Sequence, residues 1–196
     1  MIRPSRAPAW ARSARAGALV LVASLALGGC GLFGGETSGS SASSAEAGAV
    51  NQTDVIFAQQ MTVDLEQADQ VLRLATGRAT TEEVLTLAAA IQATQAEERQ
   101  TLQTLQSGWA SVPSVSVTRN AYQIDAATMT QLQTLSGAEF EQVFLTVLVA
   151  MQRKTIELAQ VEASRGQDAA TRALASRVVQ SRTAEVDYSL GLLEAS

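Results

Sequence analysis

From Asn51 onward, small and apolar residues recur at steps of three and four. Ala58, Met61, Leu65, Ala68, Leu72 and Ala75 mark one face of a helix that Gly77 ends. Thr80 followed by Glu83 has the form of a capping box and opens a second helix. Its stripe is Val84, Leu87, Ile91, Gln95, Glu98, Leu102 and Leu105. Gly108 and Pro113 break that helix, and Ser111 to Asp125 carries no period. A short helix is expected from about Ala126 to Leu135, bearing Met129, Leu132 and Leu135. Ser136 with Glu139 forms a further capping-box signal, and the third long helix presents Phe140, Phe144, Val147, Met151, Thr155 and Leu158 before Gly166 stops it. Asp168 is placed to cap the fourth, whose stripe is Leu174, Val178, Ser181, Glu185, Tyr188 and Leu192. Four long amphipathic helices, with short loops inside each pair, predict an all-α fold, an up-down four-helix bundle. The longer link between the pairs is expected to cross one end.

The second helix pair can be laid on the first with an offset of 87 residues. Phe57 then meets Phe144, Arg78 meets Arg165, Leu87-Ala88 meets Leu174-Ala175, and Glu98 meets Glu185. Helix starts and stops coincide as well. The domain spanning 51–196 is therefore read as two repeated helix pairs, at about 51–107 and 138–193.

The stretch before the bundle has a different character. Arg3, Arg6, Arg12 and Arg15 precede the apolar run from Ala18 to Leu27, and Gly28-Gly29 lead to Cys30, the sole cysteine. A basic start, a short apolar run and small residues at a cleavage point make a secretory signal, too short for a spanning helix. Leu27-Gly28-Gly29-Cys30 resembles the lipobox of bacterial prolipoproteins. That resemblance implies cleavage after residue 29 and a diacylglyceryl thioether on Cys30, hence a chain tethered to the outer face of a membrane. In a cell with two membranes the anchor would face the periplasm. Residues 30–50, rich in Gly, Ser and Ala, read as a flexible tether with a root-mean-square span of about 25 Å.

Charge and chemistry narrow the function. The signal carries four arginines and no acid, so the mature chain keeps ten basic and nineteen acidic residues, a net charge of −9. That argues against nucleic acid as a partner and against electrostatic docking to anionic lipid. Aromatic residues make up only 4% of the chain, so the core must be built from Leu, Val, Ala and Ile. There is no histidine, which removes most acid–base and nucleophile–base mechanisms at neutral pH and the commonest transition-metal ligand. An enzyme is not expected, and no cofactor is implied.

Several segments resemble the family called domain of unknown function 305. They are Asn51 to Met61 with Glu66-Gln67-Ala68, Leu87 to Glu98 followed by Trp109, Leu135 to Leu145, and Arg172 to Val179 with Glu185. The resemblance spans about residues 51–193 and implies a ferritin-like bundle, secreted or lipid-anchored. It also implies a His-His pair in the first helix of each repeat, suited to metal binding. Those positions here are Asp64-Leu65 and Met151-Gln152. The family's later glutamine is kept as Gln95 but becomes Arg182, and its methionine becomes Leu102 and Ser189; Glu98 and Glu185 keep the family residue.

Glu98 and Glu185 fall in register with apolar stripes, and a buried carboxylate is costly unless paired, hydrogen-bonded or protonated. Two readings follow. In the first they are structural, paired with Arg182, Arg99 or a tyrosine or swung to the bundle edge, and the bundle is a non-catalytic binding or structural domain that engages another envelope protein. In the second they converge with Asp64 or Glu66 on an ion bound by oxygen ligands, such as Ca²⁺, Mg²⁺ or Mn²⁺. Met61, Met129 and Met151 are read as core filler before soft copper ligands. Arg153-Lys154 is read as a solvated pair, and Trp109 as a cover at the bundle end, with an interaction patch expected near Ser111–Asp125. Oligomeric state is left open.

Overall fold

The computed structural model describes residues 49–109 and 124–196. The signal segment, Cys30, most of the tether and the stretch 110–123 lie outside the described residues. Helix α1 runs Gln52–Arg78, α2 Glu82–Ser107, α3 Ala126–Thr134, α4 Gly137–Arg165 and α5 Ala169–Ala195. Among the described residues there is no strand, and no helix is long and apolar enough to cross a membrane. The fold is all-α, with four long helices packed as a bundle and α3 lying against α1 and α4.

Helix directions follow from what meets at each end. Phe57 near the start of α1 packs with Leu102 of α2, Ala159 of α4 and Leu174 of α5, and Leu105 and Trp109 close over that cluster. At the other end, Arg78 donates to the Leu135 carbonyl at 3.0 Å, and Glu141 reaches Thr80 and Thr81. Each long helix is thus antiparallel to its neighbours around the bundle. α2 ends at one end of the bundle and α4 begins at the other, so the two ends of the connection between the pairs lie at opposite ends of the bundle. This is the arrangement of bundles with a single long crossover.

The stripe on α1 is buried throughout, and on α2 it is buried from Val84 to Leu102. On α4 and α5 the seam sits slightly to one side of the expected face. Leu148, Gln152 and Ala159 are buried while Val147, Met151 and Leu158 are half-buried; Arg182 and Ser189 are buried where Ser181 and Tyr188 were expected. Phe140 and Phe144 stack at 5.3 Å between centroids and anchor the α4 start. Arg153 and Lys154 are exposed.

Helix starts use different devices from those the sequence suggests. Asn51 and Asp54 form a reciprocal capping box on α1, at 3.1 and 2.6 Å. Asp168 caps α5 by accepting from the Thr171 backbone at 2.7 Å, as expected. The Thr80–Glu83 and Ser136–Glu139 boxes do not form. Thr81, not Thr80, is the α2 cap residue, and neither it nor Ser136 caps with its side chain. The chain enters α4 through Gly137 at φ 61, a left-handed conformation that glycine adopts without strain.

Candidate functional site: a charged cluster inside the bundle

A carboxylate in register with an apolar stripe must find a counter-charge or a proton. Glu98 on α2 and Glu185 on α5 find the same one. Arg182, one turn before Glu185 on α5, is only 1% exposed and lies between them. Its Nη2 forms an ion pair with Glu98 Oε2, and its Nη1 donates to both carboxylate oxygens of Glu185 at 3.2 and 3.3 Å. Gln152 of α4 donates its side-chain N–H to Glu185 Oε2, and Ser189 donates to the Glu185 carbonyl at 2.7 Å. Three helices are thereby joined by one polar cluster.

With both acids ionised the cluster would carry a net charge of −1 in a low-dielectric interior. Burial raises the Glu185 carboxyl to about 7; Arg182 opposes this and Glu98 reinforces it. Burial also raises Glu98, again against the pull of Arg182 and, more weakly, Arg177. A cleft of about 260 Å³ between α2 and α5, lined by Thr94, Glu97, Thr101, Arg177 and Ser181, reaches Glu98 from solvent.

The four carboxylates considered for a metal site do not assemble. Glu98 and Glu185 are occupied by Arg182. Asp64 is half-buried on α1 and accepts from Gln60 at 2.8 Å; burial raises its carboxyl to about 6, with the Gln60 bond pulling the other way. Glu66 is exposed. Among the described residues, no group of three or more acidic side chains is placed to hold a metal ion. Arg99 donates to the Leu65 carbonyl at 3.3 Å and pairs with neither glutamate. Met61 is fully buried in the core, while Met129 and Met151 are half-buried.

The side chains around Glu98 and Glu185 suit an internal ion pair better than a metal ion. The cation between the two acids is a guanidinium, whose forked donors engage Glu98 Oε2 and both oxygens of Glu185. Gln152 and Arg182 are two positions at which the sequence departs from the resemblance, and here both bond the Glu185 carboxylate, while Ser189, a third, bonds the Glu185 main-chain carbonyl. Arg182 was foreseen only as one of several partners. The sharper signal was the 87-residue offset, which sets Arg182 opposite Gln95, a stripe position.

The second polar assembly lies at the bundle ends. Glu141 of α4 accepts from the backbone N–H groups of Thr80 and Thr81 at 2.5 and 2.8 Å and from both hydroxyls at 3.1 Å. Burial works to raise its carboxyl, but these bonds outweigh it and hold it low. At the opposite end Asp54 of α1 accepts from the backbone N–H groups of Gln167 and Asp168, at 3.1 and 3.0 Å. Sequence reasoning missed both residues, because nothing local marks a helix cap supplied from another helix.

In this all-α bundle the interior acids Glu98 and Glu185 share one arginine, Arg182, as their counter-charge. The chain belongs to DUF305, a domain of unknown function, whose sequence profile matches residues 54–189. Solved structures agree on the fold. A DUF305 protein of Streptomyces coelicolor, described as a candidate secreted protein, is 27% identical, with a TM-score of 0.67 over 73% of this chain and 93% of its own. A DUF305 fragment of Deinococcus radiodurans is 20% identical, with a TM-score of 0.68 over 75% and 99%. The protein CopM, solved in a Cu(I)-bound form, is 19% identical, with a TM-score of 0.63 over 74% and 98%. No curated protein matches.

Proposed function

We propose that the protein is a lipid-anchored, extracytoplasmic DUF305 lipoprotein whose bundle is a non-catalytic binding or structural domain. One observation carries the domain's part of this reading. Arg182 pairs with both Glu98 and Glu185, so the buried acids already find their cation within the bundle. The sequence supports the location, through the basic start, apolar run and Leu27-Gly28-Gly29-Cys30, and the description of the Streptomyces relative as secreted agrees with it. The anchor is the acyl chain on Cys30, and the partner is another envelope protein rather than nucleic acid.

Expression of the full chain in a bacterial host tests both parts. The wild type should fractionate with membranes and yield an N-terminal Cys30 peptide carrying a diacylglyceryl group by mass spectrometry. Cys30→Ser should remain unprocessed and unacylated. Cross-linking on intact cells should recover a defined envelope partner. An unmodified Cys30 peptide in the wild type overturns the anchor, and a bare domain after cross-linking overturns the binding role.

A degenerate metal-binding role is the second reading. It draws on the likeness of fold to CopM, described in Cu(I)- and Cu(II)-bound forms. It requires an ion to displace Arg182 or to use other residues. Melting of the full chain with Cu(I), Mn²⁺ or Ca²⁺ decides it, since an ion at a hundredfold excess over Kd adds about 2.7 kcal/mol. A rise in Tm that disappears in Glu98→Gln or Glu185→Gln would establish it.

A further inference from the structure

Glu162, near the end of α4, is fully buried, and among the described residues neither of its carboxyl oxygens meets a hydrogen-bond donor. An ionised carboxylate in that position is costly. Its neighbour across the interface is the Asp54 carboxylate, which already accepts from the backbone N–H groups of Asn51, Gln167 and Asp168. Three N–H donors fix Asp54 as the acceptor. A proton on Glu162 turns this contact from repulsion into an O–H···O⁻ hydrogen bond, the strong charge-assisted kind.

The surroundings are shaped for this contact. A Cβ built on Gly166 would overlap Glu162 Oε1 and would lie 2.6 Å from Glu162 Cδ and 2.8 Å from Asp54 Oδ1. The absence of a side chain at Gly166 lets the two carboxyl groups meet under the α4–α5 turn. The other end of the bundle provides an internal control. There Glu141 clasps the α1–α2 turn as Asp54 clasps the α4–α5 turn, and the residue 87 positions before Glu162 is Ala75. The clasp can therefore be built without a second acid, and Glu162 is an addition at one end only.

We infer that Glu162 and Asp54 form a proton-binding site, a carboxylic acid hydrogen-bonded to a carboxylate, that latches the start of α1 to the α4–α5 turn and loosens when the proton leaves. The charged groups acting on Glu162 are Asp54 from α1 and Asp168 and Arg172 from α5. Two are acids. The one base, Arg172, is exposed and its Nε is directed to the Ala163 carbonyl at 3.4 Å. Burial is the largest influence on Glu162, followed by Asp54, and together they raise its carboxyl from 4.5 to about 8. Opening returns the group to water, where it ionises readily. The latch is therefore fully closed below about pH 4.5 and weakens as pH rises. The loss is complete once pH passes about 8, where Glu162 ionises even when closed.

The test is a pH titration of the full chain, from 5 to 10, read at the backbone amides of Gln167 and Asp168 by ¹⁵N NMR and by hydrogen exchange. Both amide shifts should move with a midpoint near 8. Protection, corrected for intrinsic exchange, should fall by up to about tenfold per pH unit below that midpoint and level off above it. Glu162→Gln keeps the shape and a permanent donor toward Asp54. It should abolish both responses and hold the low-pH signature to pH 9. The amides of Thr80 and Thr81, at the control end, should not follow the midpoint. Flat Gln167 and Asp168 amides in the wild type, or an unchanged titration in Glu162→Gln, overturn the latch.

Discussion

Asp54 and Glu141 stand 87 residues apart in the chain and perform the same task at opposite ends of the bundle. Asp54 holds the N–H groups of Gln167 and Asp168, and Glu141 holds those of Thr80 and Thr81, themselves 87 residues earlier. Each helix pair thus clasps the turn of the other. Both helix starts gain a negative charge at the positive end of the dipole, supplied through space. Glu141→Ala should cost about 1–3 kcal/mol in urea unfolding at pH 7. Its carboxyl is held low, so this contribution is present above about pH 4.5 and lost as pH falls through the folded-state value. The wild-type advantage over Glu141→Ala should accordingly shrink toward pH 3.

Removal of Arg182 is expected to be far more damaging than a surface arginine loss. Arg182→Gln leaves Glu98 and Glu185 buried and facing each other without a cation, a situation that costs about 3–5 kcal/mol. The triple variant Arg182→Met with Glu98→Gln and Glu185→Gln should recover much of that loss, because buried ion pairs replaced whole are often neutral. Chemical denaturation at pH 7.5 distinguishes the two. A triple variant no more stable than Arg182→Gln would show that packing, and not charge, dominates at this site.

How far this was legible in the sequence depended on whether the signal was local. Periodicity placed the four long helices and the short Ala126–Thr134 helix, because apolar spacing and burial are two views of one face. Asp168 was legible as a cap since its partner Thr171 is three residues away. Thr80 and Ser136 misled for the converse reason: the α2 start is served by Glu141, some 60 residues on in the chain. Arg182 was ambiguous because a 3.6-residue period drifts against a fixed three-four count, and Ser181 fitted the stripe nearly as well. Arg182 was therefore legible only as one of several possible partners of the two glutamates.

The pH profile of stability should run opposite to ordinary acid denaturation across the neutral range. Burial raises Glu185 to about 7 and Asp64 to about 6. For such groups the folded state binds the proton more tightly, so their contribution is complete below about pH 4 and lost as pH rises through 6 and 7. Melting in matched buffers should give a higher Tm at pH 5.5 than at pH 8.5. Glu185→Gln should flatten part of the slope while keeping an acceptor and a donor for Arg182 and Gln152. A Tm that climbs steadily from pH 5.5 to 8.5 would contradict this account of the polar core.

Two glycines near helix ends should respond oppositely to alanine. Gly77 lies in the last turn of α1 and an added Cβ meets nothing within 4 Å, so Gly77→Ala should stabilise by about 0.5–1 kcal/mol through the unfolded chain. Gly166 has φ −62, which alanine adopts freely, so backbone strain gives no reason for a penalty. The obstacle is the Glu162 carboxyl against the new methyl group. Gly166→Ala should therefore cost about 1–3 kcal/mol by overpacking. Pairing it with Glu162→Ala clears the obstruction, and the double-mutant cycle should show a favourable coupling well above the additive expectation. Additive effects would mean that Gly166 serves the α4–α5 turn alone and that the carboxyl pair beneath it exerts no steric demand.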